Sequence, residues 1–170
     1  MDRKIYRTDK FTFLGYALLV LTYSLFFGLL VVRSGGVSIN SLIFVLLVLP
    51  VAAYFFFLSR KKVIIDNEGI KVFGITGKKE FKWRDIQEVS VSAGRKYFLF
   101  IADKEGKLAV IDDSTENFKE LLQEIKKKVS PNKLPENFDS VINSYRRSYG
   151  SIILIYIASL ILLFVLFQSL

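Results

Sequence analysis

KKEFKWRDIQEVSV, residues 78–91, holds the only tryptophan of the chain, and its reading decides the fold around it. In EFKW (80–83), Phe81 and Trp83 fall on one side of an extended chain, and Lys82 with Arg84 on the other. That two-residue period belongs to a strand with one buried face. Val89 and Val91 continue the alternation in IQEVSVS (86–92). On this reading Trp83 is a core anchor with solvated neighbours. A cation–π cage around a ligand would need further aromatic residues close by, and the stretch lacks them.

Outward from that stretch the same texture repeats. VIID (63–66), the turn NEG (67–69) and IKVFG (70–74) make a hairpin, with Gly69 expected at positive φ. ITGKK (75–79) and SAGRK (92–96) turn again. YFLFIA (97–102) and LAVID (108–112) are joined by DKEG (103–106). Six antiparallel strands result, with no crossover helix among them. A helix follows, with a capping-box-like start from Asp113 to Glu116. Phe118, Leu121, Leu122, Ile125 and Val129 form its apolar stripe, and Lys126, Lys127 and Lys128 occupy its last turn. Ser130-Pro131 ends it. After the linker SPNKLP (130–135), residues 136–149 carry a second stripe of Phe138, Val141, Ile142, Tyr145 and Tyr149. This predicts a connector helix that either lies in the membrane interface or docks on the domain.

Three uncharged runs enclose this island: residues 11–32, 37–58 and 151–170. Each matches the roughly 20 apolar residues that a helix needs to cross a bilayer. In lipid each must be helical, because no water is present to satisfy the backbone. The first is too long for a signal peptide and lacks a small-residue cleavage site. RSGGVSIN (33–40) turns the first two into a hairpin, and Pro50 is expected to kink the second. Arg3, Lys4, Arg7 and Lys10 precede span one. Arg60, Lys61 and Lys62 follow span two, and Arg146 and Arg147 precede span three. By the positive-inside rule, residues 1–10 and 59–149 are cytoplasmic, and the hairpin turn and the C-terminal end lie outside. The spans carry no ionisable residue, which argues against a transporter or pump. They also lack a Gly-x-x-x-Gly pair.

The DNEGIKV hairpin (66–72), KKEFKWRDIQEVSV (78–91) and the ENFKELLQEIKKKV helix (116–129) together resemble a pleckstrin-homology (PH) domain. The resemblance is closer to the bacterial PH-like domains that sit beside transmembrane hairpins. It covers residues 62–129. It implies an α+β membrane protein with three transmembrane helices and a PH-like antiparallel near-barrel over 59–130, closed by one C-terminal amphipathic helix. A basic N-terminal flank would occupy 1–10, and a linker and connector helix 131–150. The PH fold has seven strands, so one remains to be placed. The resemblance also implies a multi-pass protein of the bacterial cytoplasmic membrane that binds a protein or peptide partner, or its own copy. Anionic lipid head groups are the alternative ligand.

The chain has no cysteine and no histidine, which removes thiolate chemistry and the commonest general base and metal ligand. The adjacent carboxylates Asp112 and Asp113 are explained by helix capping. No enzyme activity, cofactor or metal is expected. Residues 59–149 hold 19 Lys and Arg against 14 Asp and Glu, a balance of +5 that suits an anionic surface. The candidate contacts are Arg60, Lys61, Lys62, Lys78, Lys79, Lys82, Arg84, Lys126, Lys127, Lys128, Arg146 and Arg147. The first hairpin loop, Asp66 to Gly69, is acidic where phosphoinositide-binding PH domains are basic. No nucleic-acid-binding motif is present, so nucleic acid is not expected as a partner.

Overall fold

A computed structural model describes residues 3–33, 35, 39–74 and 77–169. In chain order the elements are β1 (Lys4–Arg7), α1 (Lys10–Arg33), α2 (Ile39–Arg60), β2 (Lys62–Ile65), β3 (Gly69–Gly74), β4 (Gly77–Lys82) and β5 (Ile86–Ser92). Then come β6 (Phe98–Asp103), β7 (Leu108–Asp112), α3 (Phe118–Lys128), a 3-10 turn at Pro131–Lys133, α4 (Phe138–Ser144) and α5 (Gly150–Ser169). The chain divides into two compact units: Met1–Asp9 with Arg60–Ser148, and Lys10–Ser59 with Tyr149–Leu170.

The first unit is α+β. It holds two antiparallel sheets, one in the order β1-β2-β3-β4 and the other β5-β6-β7. Alternating side chains from both sheets meet α3 in one core. Ile70, Ile86, Leu99, Ile101 and Ile111 are fully buried there, beside Phe118, Leu121, Leu122 and Ile125 of the helix stripe. Burying each such side chain contributes about 1.5–3 kcal/mol.

A seventh strand, β1, comes from residues that read only as a basic flank. Lys4 to Arg7 pair in register with Ile65 to Lys62. Tyr6 is buried, and Lys4 reaches Glu120 at 2.9 Å and Glu124 at 3.2 Å on α3. The ladder continues past β7, where Asp9 N–H donates to Ser114 O and Glu116 N–H donates to Arg7 O, both at 2.8 Å.

Four local readings are corrected. Gly69 does not sit at positive φ. It is glycine because a Cβ there would lie 2.0 Å from the carbonyl oxygen of Phe81. Trp83 lies one residue past β4. It packs half-buried on the core, and its indole N–H donates to Asp66 O at 3.0 Å. The capping box is absent: α3 starts after Asn117, a left-handed residue at φ 48° whose side chain makes no capping bond. Asp113 instead accepts the Tyr97 N–H, and Glu116 accepts the Arg7 N–H.

The connector helix, expected over 136–149, stops at Ser144 as α4. Phe138, Val141 and Ile142 are buried, so this segment docks on the domain. Tyr145 leaves helical backbone, and its ring packs 4.9 Å from Tyr97 and 5.4 Å from Phe118. The domain therefore runs to residue 148 and takes in the leading strand, well beyond the 59–130 expected.

The second unit is helical. Two of its helices, Lys10–Arg33 and Gly150–Gln168, are long and apolar enough to cross a membrane. They pack through small residues: Thr12, Gly15 and Thr22 on α1, and Ser159 on α5, are buried. A Cβ on Gly15 would stand 3.2 Å from the Tyr156 ring, so a single glycine allows the approach that a paired motif would otherwise supply. The Thr22 and Ser159 hydroxyls bond back to Leu19 O and Ile155 O, which leaves no polar atom unsatisfied at those points. Phe13–Phe55 and Tyr16–Tyr54 ring pairs join α1 to α2. Pro50 lies within α2, a helix of 22 residues. The hairpin turn expected at 33–40 falls mostly outside the described residues.

The Gly69 contact can be checked directly. Gly69→Ala is expected to destabilise the domain by about 1–3 kcal/mol through overpacking. Gly74→Ala, where a Cβ meets nothing within 4 Å, should leave the unfolding midpoint nearly unchanged. Urea unfolding of both variants in detergent, followed by Trp83 fluorescence, measures the difference.

Candidate functional site

The twelve candidate cations do not form one patch. The fold scatters them over strands, helices and turns, and pairs six of them with carboxylates among the described residues. Lys126 pairs with Asp139, Lys127 with Glu124 at 2.9 Å, and Arg147 with Asp9 at 3.1 Å. Arg84 lies 3.6 Å from Asp85, and Lys128 donates to the Asn67 side chain at 3.2 Å. Lys79 turns inward and donates to Leu108 O at 2.7 Å, so its strand meets β7 through a side chain. Arg60 ends α2, and Arg146 and Lys82 are exposed.

Two candidates do come together. Arg7, Lys62, Phe73 and Lys78 occupy one register row across all four strands of the first sheet. The Lys62 ammonium lies 4.6 Å from the Phe73 ring centre and Lys78 lies 5.9 Å from it, while Lys78 also pairs with Glu80. Arg7 was not among the expected contacts, because β1 itself was not read. This row can offer its cations to an anion, with the Phe73 face holding the Lys62 ammonium in place.

Lys61 has a different role from the one expected. It is largely buried and bonds Asp112 and the Ser114 hydroxyl. Burial pulls its ammonium below the ordinary value, and Asp112 opposes that. Burial alone would raise the Asp112 carboxyl, but Lys61 and two bonds from Ser114 reverse this and hold it below its ordinary 3.8. Lys61 is thus a structural pin and not a ligand contact. Asp113 is pushed up, by burial first, and the Tyr97 N–H partly offsets this. The two carboxylates that read as helix caps are a buried ion pair and a strand-end acceptor. Among the described residues no cluster of carboxylates could hold a metal ion.

A cleft of about 490 Å³ opens where β4 and the β4–β5 turn face the β6–β7 turn. Gly69, Ile70 and Phe81 line its floor. Glu68, Glu80, Asp85 and Glu105 alternate around it with Lys71, Lys82, Lys104 and Lys107. Asp103 is buried at one wall and accepts the Glu105 and Lys107 N–H groups at 3.0 and 2.8 Å. Lys107 spans the opening to Glu80 O at 3.4 Å. Of these, only Lys82 was singled out from sequence. The others come from turns far apart in the chain, and charged turn residues are ordinary in any sequence.

No protein-family model, curated protein or solved structure matches this chain.

The Lys61–Asp112 pair gives a pH prediction. The depressed Asp112 carboxyl contributes stability that is full above its unfolded value and is lost as pH falls through the folded one. Asp112→Asn should cost about 1–3 kcal/mol at neutral pH, the lower end reflecting screening at a one-third-exposed carboxylate. Its difference from the parent chain should fade below the ordinary carboxylate value of 3.8. Unfolding midpoints at neutral and acidic pH test this.

Proposed function

We propose that this chain is a multi-pass protein of the bacterial cytoplasmic membrane that presents a PH-like, non-enzymatic binding module for a protein or peptide at the cytoplasmic surface. On this reading α2 is the second of three spans, the N-terminal flank and the domain are cytoplasmic, and α5 ends outside. The support is α1, charged only at its two end residues, the charge-free α5, the hairpin-compatible length of α2, and the basic residues flanking them. Seven antiparallel strands with an amphipathic helix after the last of them agree in number and kind with what the PH resemblance leads to expect.

The cleft carries the binding reading. Among the described residues β4 pairs with β3 alone, so its other edge leaves backbone donors and acceptors without strand partners beside an apolar floor. An extended peptide adds to such an edge by main-chain bonds, and flanking charges choose its side chains. The rim alternates in sign, which selects a segment of mixed charge over a uniformly acidic or basic one.

The basic row favours a second reading, anionic lipid head groups. Arg7 precedes α1 by two intervening residues and Lys62 follows α2 by one, so the row lies a few residues from two helix ends.

Photo-crosslinking of the full chain in native membranes separates the two readings. A photoreactive residue at 82 should yield a discrete protein adduct, and one at 126 should yield none. Asp85→Lys with Glu105→Lys should weaken the adduct by on the order of tenfold. No protein adduct at 82, with lipid adducts at 62 and 78, transfers the function to lipid sensing.

A further inference from the structure

We infer that the β5–β6 turn, with Arg95 and Lys96 and the Phe98/Phe100 strip behind it, rests on the surface of an anionic bilayer. The inference depends on the membrane-spanning reading above and concerns a surface distinct from both the cleft and the basic row.

Three observations meet at this turn. Arg95 and Lys96 are exposed and enter no ion pair among the described residues, although most of the domain's other cations near an acid are paired. Phe98 and Phe100 point to the outer face of the second sheet, with ring centres 6.5 Å apart, and Val110 beside Phe100 is 47% exposed. Both rings are half-buried, and the part of the Phe98, Phe100 and Val110 row that stays exposed is costly to leave in water. Finally, the register partner of Phe98 is Asp112, which the buried Lys61 holds, and Lys61 directly follows the last residue of α2.

The chemistry fits lipid better than a second copy. Two such turns facing each other would bring four cations together. The two carboxylates beside the turn, Asp112 and Asp113, are already engaged, by Lys61 and by the Tyr97 N–H. On an anionic leaflet each cation gains about fivefold in partition. Phe98 to Phe100 spans about 7 Å along the strand, comparable to the roughly 5–10 Å to which interfacial side chains sink.

The chain has no cysteine, so single labels can be placed. The full chain is reconstituted with a nitroxide at Ala93→Cys, in vesicles of phosphatidylcholine with phosphatidylglycerol and in vesicles of phosphatidylcholine alone. Lys119→Cys on the exposed side of α3 and Leu160→Cys in α5 serve as references. The label at 93 should show a severalfold rise in collision with lipid-dissolved oxygen, relative to a water-soluble nickel chelate, only with phosphatidylglycerol. Arg95→Gln with Lys96→Gln should return it to the value in phosphatidylcholine. The inference is overturned if 93 stays as water-exposed as 119, or if its immersion is equal in both lipids. Immersion that depends on the number of chains per vesicle also overturns it, in favour of self-association. A deep label at 160 with a wet label at 93 defeats this inference alone, whereas a wet label at 160 defeats the spanning reading itself.

Discussion

The antiparallel pairing of β1 with β2 is the constraint on which the rest depends. These neighbours in the sheet are separated in the chain by α1 and α2. A helical hairpin thus takes the place of a strand–strand turn. Because Arg7 pairs with Lys62, the start of α1 and the end of α2 must come close together, within the reach of the two residues and the one residue that connect them to the strands. Strand spacing is about 4.8 Å and packed helices lie about 8–10 Å apart, so these short connectors have only a few ångströms to make up. The Lys61–Asp112 pair then ties the return of the chain to the second sheet.

Charge within the domain obeys the same economy. Cations that sit on structured surfaces are mostly taken up by carboxylates on neighbouring elements, as with Lys4 and α3 or Lys126 and Asp139. Exposed pairs of this kind contribute little to stability individually. Their effect is to remove charge from surfaces where it would attract partners indiscriminately. The positive balance of the island therefore overstates how much positive surface is free to bind, and what remains is confined to a few turns and one row.

Much of this architecture was legible. Period-two alternation marked β2 to β7, with β4 starting three residues earlier than read, inside the expected 75–79 turn, and period-3.6 apolar stripes marked α3 and the start of α4, because burial on one face leaves a direct imprint on sequence. β1 left none. KIYR is four residues long, two of them charged, and its partner lies beyond a whole hairpin, so no local signal announces it. The α3 start misled because an acidic, hydroxyl-rich segment satisfies strand ends and helix ends equally well; only the tertiary partners Tyr97 and Arg7 decide. Gly69 reads like a turn glycine, yet its reason is a backbone passing close by, which sequence does not record. The site was least legible of all. The twelve cations were identified by type and proximity in the chain, while the cleft and the row depend on which residues register across strands.

The split sheet also imposes an order on how the chain is made. β1 leaves the ribosome first and has no partner until both helices and then β2 have emerged. Until then its side chains, Tyr6 among them, have no core to enter. Closing the ladder requires the two helices to have reached their final antiparallel arrangement, since a hairpin with separated ends would hold Arg7 and Lys62 apart. Folding of the α+β unit is in this way gated by maturation of the helical one. A chain that fails at the first step exposes an unpaired β2 edge, the kind of feature that quality-control proteases and chaperones recognise.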